Sequence, residues 1–130
     1  MSQENVELVR AGYAAFERGD ASYLLDLMAD DLVVYRADPD GATFHGKEGY
    51  FEAIADWAEG FSDWSIVPED FIDTGDFVVA RVRQSARLEL SGIAVEGAFW
   101  FVFEVNGTKV TKLGFYSRRS EALEAVGLRD

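Results

Sequence analysis

The sequence predicts an α+β fold in which N-terminal helices pack on one face of a curved, mostly antiparallel sheet. Three observations lead there. Apolar residues recur at helical spacing through the first half of the chain, and from Trp64 onward the period becomes that of strands. Turn signals then separate three long strand-like runs at hairpin intervals. Helices first and consecutive strands afterwards is the α+β order.

Each element has a local reason. Ser2 and Asn5 open the apolar set Val6, Val9, Tyr13 and Phe16, which reads as a capped amphipathic helix ended by Gly19. Asp20 is a good N-cap for a second helix carrying Leu24, Leu25, Leu27 and Met28. "DDLVVYRADPDG" follows as a short strand running into a turn at Pro39-Asp40-Gly41. A third helix begins after Gly46, with Tyr50, Ile54, Trp57 and Phe61 at helical spacing. Trp64 to Ile72 reads as a strand in which Pro68 marks an edge or a bulge. After a turn at Thr74-Gly75-Asp76 come strands Phe77–Glu89, Ile93–Val105 and Lys109–Ser117, joined by hairpins at Ser91-Gly92 and Asn106-Gly107. "SEALEAVG" closes the chain as a short helix stopped by Gly127. With no linker, repeat or low-complexity tract, residues 1–130 are expected to form one domain.

The composition excludes several function classes. A chain of 130 residues buries roughly two-thirds of its unfolded surface, enough for a core. Twenty-four acids against twelve Lys and Arg give a formal charge of −12, which argues against nucleic acid and anionic membranes as partners. The absence of cysteine removes disulfides, thiolate ligands and a thiol nucleophile, and suits a reducing cytoplasm. One histidine excludes multi-histidine metal sites, and no glycine-rich phosphate loop or ligand cluster signals a nucleotide, flavin or metal, so no cofactor is expected. The N-terminus has no signal-peptide pattern, and no apolar run approaches the ~20 residues of a membrane span.

The run Phe99-Trp100-Phe101-Val102-Phe103 is apolar at every position, so both faces of its strand must be covered. A two-residue loop at Ser91-Gly92 sets Gln84 opposite Phe99, Val82 opposite Phe101 and Ala80 opposite Phe103 on an inner, apolar face. The outer face then pairs Arg87 with Glu96 and Arg83 with Trp100. A tryptophan among arginines suits a protein interface, most simply a two-fold homodimer through Arg83, Trp100 and Val102. The last strand has two registers. A two-residue Asn106-Gly107 turn faces Val110, Lys112, Gly114 and Tyr116 inward. A three-residue turn faces Thr111, Leu113 and Phe115 inward, and is preferred because it leaves Lys112 in water.

"SQENVELVRAGYAAFERGDASYLLDLMADDLVVYR", "FHGKEGYFEAIADW" and "GFYSRRSEALEAVGL" together resemble the SnoaL-like proteins of the nuclear transport factor two (ketosteroid isomerase-like) superfamily. The resemblance spans nearly the whole chain. It implies a cone-shaped α+β barrel, with the helices in the concave face, whose open end holds a small, often hydrophobic ligand. Superfamily members include polyketide cyclases, ketosteroid isomerase, limonene epoxide hydrolase, dehydratases and non-catalytic binding or oligomerisation modules, so function rests on the site.

The catalytic sets that the resemblance implies are incomplete. Alignment with the isomerase puts Arg36 at the position of the base and Phe101 at that of the acidic donor; Asp38 fits the base only with a shifted loop, and Tyr13 falls near the tyrosine donor. No aspartate lies between Phe77 and Ser117 for an epoxide hydrolase, and Leu113-Gly114-Phe115 stands where cyclases place an acid. The remaining candidates are His45, Asp38 and Tyr13 for catalysis, and Tyr13, Arg36, Trp57, Gln84, Phe101, Leu113 and Phe115 for ligand binding. His45 acts as a base only if its loop folds over the cone's mouth, and is otherwise a surface residue. Arg36 favours an anionic or carbonyl-bearing ligand, or simply pairs with an acid. The leading expectation is a binder of a small hydrophobic or carbonyl-bearing molecule with no acid–base set. Its alternatives are an isomerase, cyclase or dehydratase using His45 or Asp38 with Tyr13, and a dimerisation module.

Overall fold

The computed structural model describes residues 2–37 and 41–128; the side chains of Ser2, Gln3 and Trp57 lie outside it, as does most of the expected Pro39-Asp40-Gly41 turn. Helix α1 (Ser2–Glu17) ends as expected before Gly19, whose φ is +73°. The Asp20 carboxylate then accepts the backbone N–H of Tyr23 and opens α2 (Ala21–Leu27). Met28 is extended rather than helical and starts β1 (Met28–Arg36). The segment before Gly46, expected to be a loop, is a four-residue strand, β2 (Ala42–His45). It pairs antiparallel with β1, His45 lying opposite Val33. Then come α3 (Gly46–Ala58), β3 (Phe61–Asp73), β4 (Phe77–Leu88), β5 (Ala94–Asn106), β6 (Lys109–Tyr116) and α4 (Arg119–Ala125).

The six strands form one sheet in the order β2-β1-β6-β5-β4-β3. Only β1 and β6 run parallel. Pro68 sits on the edge strand beside a bulge, where its missing N–H costs no ladder bond. The bulge displaces Glu69, which pairs with Arg81 at 3.4 Å and Arg83 at 2.6 Å.

The β4–β5 register differs from expectation by two residues. Leu88 N–H donates to Ile93 O and Gly92 N–H to Leu88 O, so the loop is the four residues from Glu89 to Gly92, with Gly92 at φ +72°. Gln84 therefore faces Gly97, Arg83 faces Ala98, and Arg87 faces Ala94 instead of Glu96. Because a slip of two preserves the pleat, every residue keeps its face. Val78, Ala80 and Val82 are wholly buried on the inner side with Phe101.

The last strand combines both expected registers. Asn106 pairs with Lys109 around a tight turn, which faces Val110 inward. A bulge at Thr111 then shifts the pairing, and Leu113 and Phe115 face inward too. Thr111 itself turns away and donates its hydroxyl to Glu104 Oε1 at 2.7 Å.

Helices α1 and α3 cover the inner face. On the outer face α4 lays Ala122 over Val79 and Val102, with Trp100 and Tyr116 packed alongside. Both sides of the aromatic strand are thus covered within one chain, and Val102 is only 7% exposed. No helix among the described residues is long and apolar enough to cross a membrane.

Candidate functional site

Helical spacing turns Val6, Val9 and Tyr13 of α1 toward the sheet. The Tyr13 ring stacks on Phe101 at 6.4 Å and meets Phe103 edge-on at 5.9 Å. Its hydroxyl is buried and has no protein partner. Burial first, and the neighbouring Tyr50 second, hold the Tyr13 phenol well above its ordinary pKa. Burial alone pushes Tyr50, presented by α3, up to about 12. Both phenols remain protonated at neutral pH and serve as donors, not bases.

Between the helices and the sheet lie two adjoining cavities of about 80 Å³ each. Leu24 and Leu27 of α2, Tyr13, Tyr50, Phe103 and Leu113 wall the first, which we call the helix lobe. Arg36, Ala53, Gln84, Phe99, Tyr116 and Ser117 wall the second, the arginine lobe. Ile54, Ile66, Phe101 and Phe115 belong to both and form the waist between them. There Phe101 and Phe115 meet edge to face at 4.6 Å.

Alternation along β1 buries Leu32 and Val34 and brings Arg36 to the same side. Its Nη1 donates to Asp56 Oδ2 at 2.6 Å, and the guanidinium lies 5.2 Å from the centre of the Phe44 ring. Its Nε is buried without a partner. Gln84, between Val82 and Ala86 on β4, is 7% exposed, and its Oε1 is likewise buried and unpartnered. Gly97, opposite it on β5, leaves room for the Phe99 ring: a Cβ there would stand 3.2 Å from Phe99 Cε2.

The residues anticipated from sequence are distributed as follows. Tyr13, Phe101, Leu113 and Phe115 line the helix lobe, and Arg36 and Gln84 line the arginine lobe. His45 is exposed at the end of β2 and lines neither lobe, because pairing with β1 draws its segment to the sheet edge and away from the cavity. Asp38 and the Trp57 side chain lie outside the described residues. Sequence reasoning missed Leu24, Leu27, Ile66, Tyr116 and Ser117 as wall residues; the three-residue spacing of Leu24 and Leu27 and the alternation of Trp64 with Ile66 were the available signals. Among the described residues no Asp, Glu or His lines either lobe. The arrangement can enclose, orient and donate hydrogen bonds to a ligand, but supplies no strong general base.

A model of the SnoaL-like domain matches residues 9–113. Comparison with curated proteins finds no match. Among solved structures, an NTF2-like protein of unknown function from Burkholderia pseudomallei shares 22% identity at a TM-score of 0.77, covering 98% of this chain and 99% of that one. A hypothetical protein with a ketosteroid isomerase-like fold from Catenulispora acidiphila, in complex with trimethylamine, shares 20% at 0.73 over 94% and 93%. TerC, co-crystallized with polyporic acid, shares 24% at 0.75 over 88% and 91%. These likenesses establish the cone-shaped α+β fold and no more. With the family model covering most of its length, the chain belongs to the SnoaL-like domain family.

Proposed function

We propose that this chain binds one small, largely apolar molecule inside the cone, without a classical acid–base set. The observation that carries this is the pair of adjoining apolar lobes lined by three residues with a buried polar atom lacking a protein partner: Tyr13 Oη, Arg36 Nε and Gln84 Oε1. Leaving each unpaired costs about 1–3 kcal/mol, which a ligand with matching groups recovers. The enzyme alternative, using His45 or Asp38 with Tyr13, keeps Tyr13 as a proton donor but has no base among the described residues: His45 lies outside both lobes, and Asp38 is not among the residues described. The site suits a hydrophobic or carbonyl-bearing molecule, and the cysteine-free sequence suits its binding in a reducing cytoplasm.

A thermal-shift screen of ring-sized compounds, followed by native mass spectrometry of the hits, tests the reading. Saturable stabilisation with one molecule retained per chain is expected, because a ligand that binds only the folded state raises its stability. If no compound shifts the transition, the cone is not a ligand site.

We also propose a two-fold homodimer across the outer sheet face, through exposed Arg83 and the half-buried Trp100; Val102, expected to join them, is instead covered by this chain's own α4 and is not available to a partner. Sedimentation of the native protein and of Arg83→Glu decides this. A native monomer at micromolar concentration would rule it out.

A further inference from the structure

We propose that the arginine lobe recognises a neutral carboxamide edge, a carbonyl next to an N–H, on a ring-sized ligand. The inference rests on the cone being a ligand site and adds what the ligand must carry.

The charge of Arg36 is already matched. Asp56 Oδ2 holds Nη1 at 2.6 Å, while Phe44 lies against the guanidinium. What Arg36 leaves buried without a partner is one directional donor, its Nε–H. Gln84 leaves the complementary group, an amide oxygen that requires a donor. A carbonyl beside an N–H carries both the acceptor and the donor that these two residues of one lobe lack. A carboxylate offers only acceptors, sets lone pairs against Gln84 Oε1, and enters a chain whose formal charge is −12, where Arg36, the cation among the described wall residues, is already compensated. Burying that charge without a free counter-ion is costly.

The cavities set the ligand's size. Each lobe is about 80 Å³, and the two together compare with the ~150 Å³ apolar cavity that accepts a benzene-sized guest. A single ring lies against the touching pair Phe101 and Phe115 with its polar edge in the arginine lobe, and any small substituent points toward the helix lobe.

Benzamide, benzoate and toluene carry one ring with three different edges. Their binding to the whole chain at pH 7, measured by ligand-observed NMR titration, tests the proposal. Benzamide is expected to bind about tenfold more tightly than toluene, the worth of one to two buried hydrogen bonds, and more tightly than benzoate. Gln84→Leu should bring benzamide close to toluene and leave toluene unchanged. Toluene binding as well as benzamide would overturn the edge reading while leaving the cone a binding site. Benzoate binding as tightly as benzamide would also overturn it, because that requires the Gln84 amide turned over to present its donors. Undiminished benzamide preference in Gln84→Leu would remove the arginine lobe from the account. No binding of any of the three, toluene included, would sink this proposal and the ligand-binding function together. Should Gln84→Leu fail to fold, the three-way comparison on the native chain still decides.

Discussion

Replacing Tyr13 with phenylalanine should stabilise the unliganded protein, the reverse of the usual result for a buried core position. The ring's contacts with Phe101, Phe103 and Phe71 at 6.4, 5.9 and 6.5 Å involve carbon, so phenylalanine retains them. What changes is a hydroxyl that is buried with no partner. An unpaired buried hydroxyl costs about 1–3 kcal/mol, and removing it recovers part of that. The expected net gain is about 1 kcal/mol, or roughly 3–5 °C in Tm for a chain of this size. Urea unfolding of native and Tyr13→Phe protein, with m compared between them, measures it directly. The same substitution should weaken any ligand whose acceptor reaches the helix lobe, so stability and affinity move in opposite directions. A loss of 1 kcal/mol or more would refute the reasoning, because it would mean that the hydroxyl has a partner in the folded protein.

Three further outcomes follow from the geometry. Tyr50, held near 12, stabilises the fold fully below the unfolded value of about 10; the unfolded phenol ionises above it, and stability falls until the folded phenol ionises too. Native protein should therefore lose on the order of 2–3 kcal/mol between about pH 10 and 12 from this group, and chemical denaturation across that range should show a shallower fall for Tyr50→Phe. At Gly114 a Cβ would stand 2.7 Å from Tyr116 Cε2, so Gly114→Ala must swing the Tyr116 ring off Tyr35 and its outer-face packing; a loss of about 1–3 kcal/mol is expected by urea titration, and an unchanged midpoint would show that the ring moves freely. Leu123 of α4 is almost wholly buried, so Leu123→Ala should cost about 2–4 kcal/mol in the same assay; a near-neutral result would mean that the docking of α4 contributes little to stability.

Alternation and helical spacing made the faces legible in the sequence but not the loop lengths. Gly92 announces a left-handed turn residue, yet says nothing of how many residues precede it, and a four-residue loop moved the β4–β5 register by two. The inward faces survived because the shift was even. In β6 the inward residues Val110 and Leu113 are three apart, which no regular strand allows; that odd interval was the visible trace of the bulge at Thr111. Strand β2 was hidden because Ala42–His45 is too short to show a period of its own. The apolar strand correctly demanded cover on both faces, but the cover over Val102 comes from this chain's own α4, whose Ala122 and Val126 carried the signal. Wall residues such as Arg36, Gln84, Phe101 and Phe115 were legible because pleat fixes their side. Whether Arg36 and Gln84 keep free polar atoms was not, since a partner such as Asp56 is brought in by tertiary packing twenty residues away.

The placement of charge bears on binding versus turnover. The chain has twenty-four acidic residues, yet none of those described lines the cavity, where burial already holds two phenols protonated. A carboxylate introduced there would meet the same low dielectric, and its pKa would rise unless a cation balanced it. Arg36 is not free to do so while Asp56 holds it. The interior therefore discriminates by shape and by the direction of a few N–H and O–H groups. Proton abstraction from a bound molecule would need an acceptor stronger than the Gln84 amide, and among the described wall residues there is none. Introducing Asp at a wall position would raise both a catalytic base and a large desolvation cost, and the surrounding phenyl rings offer nothing to offset it.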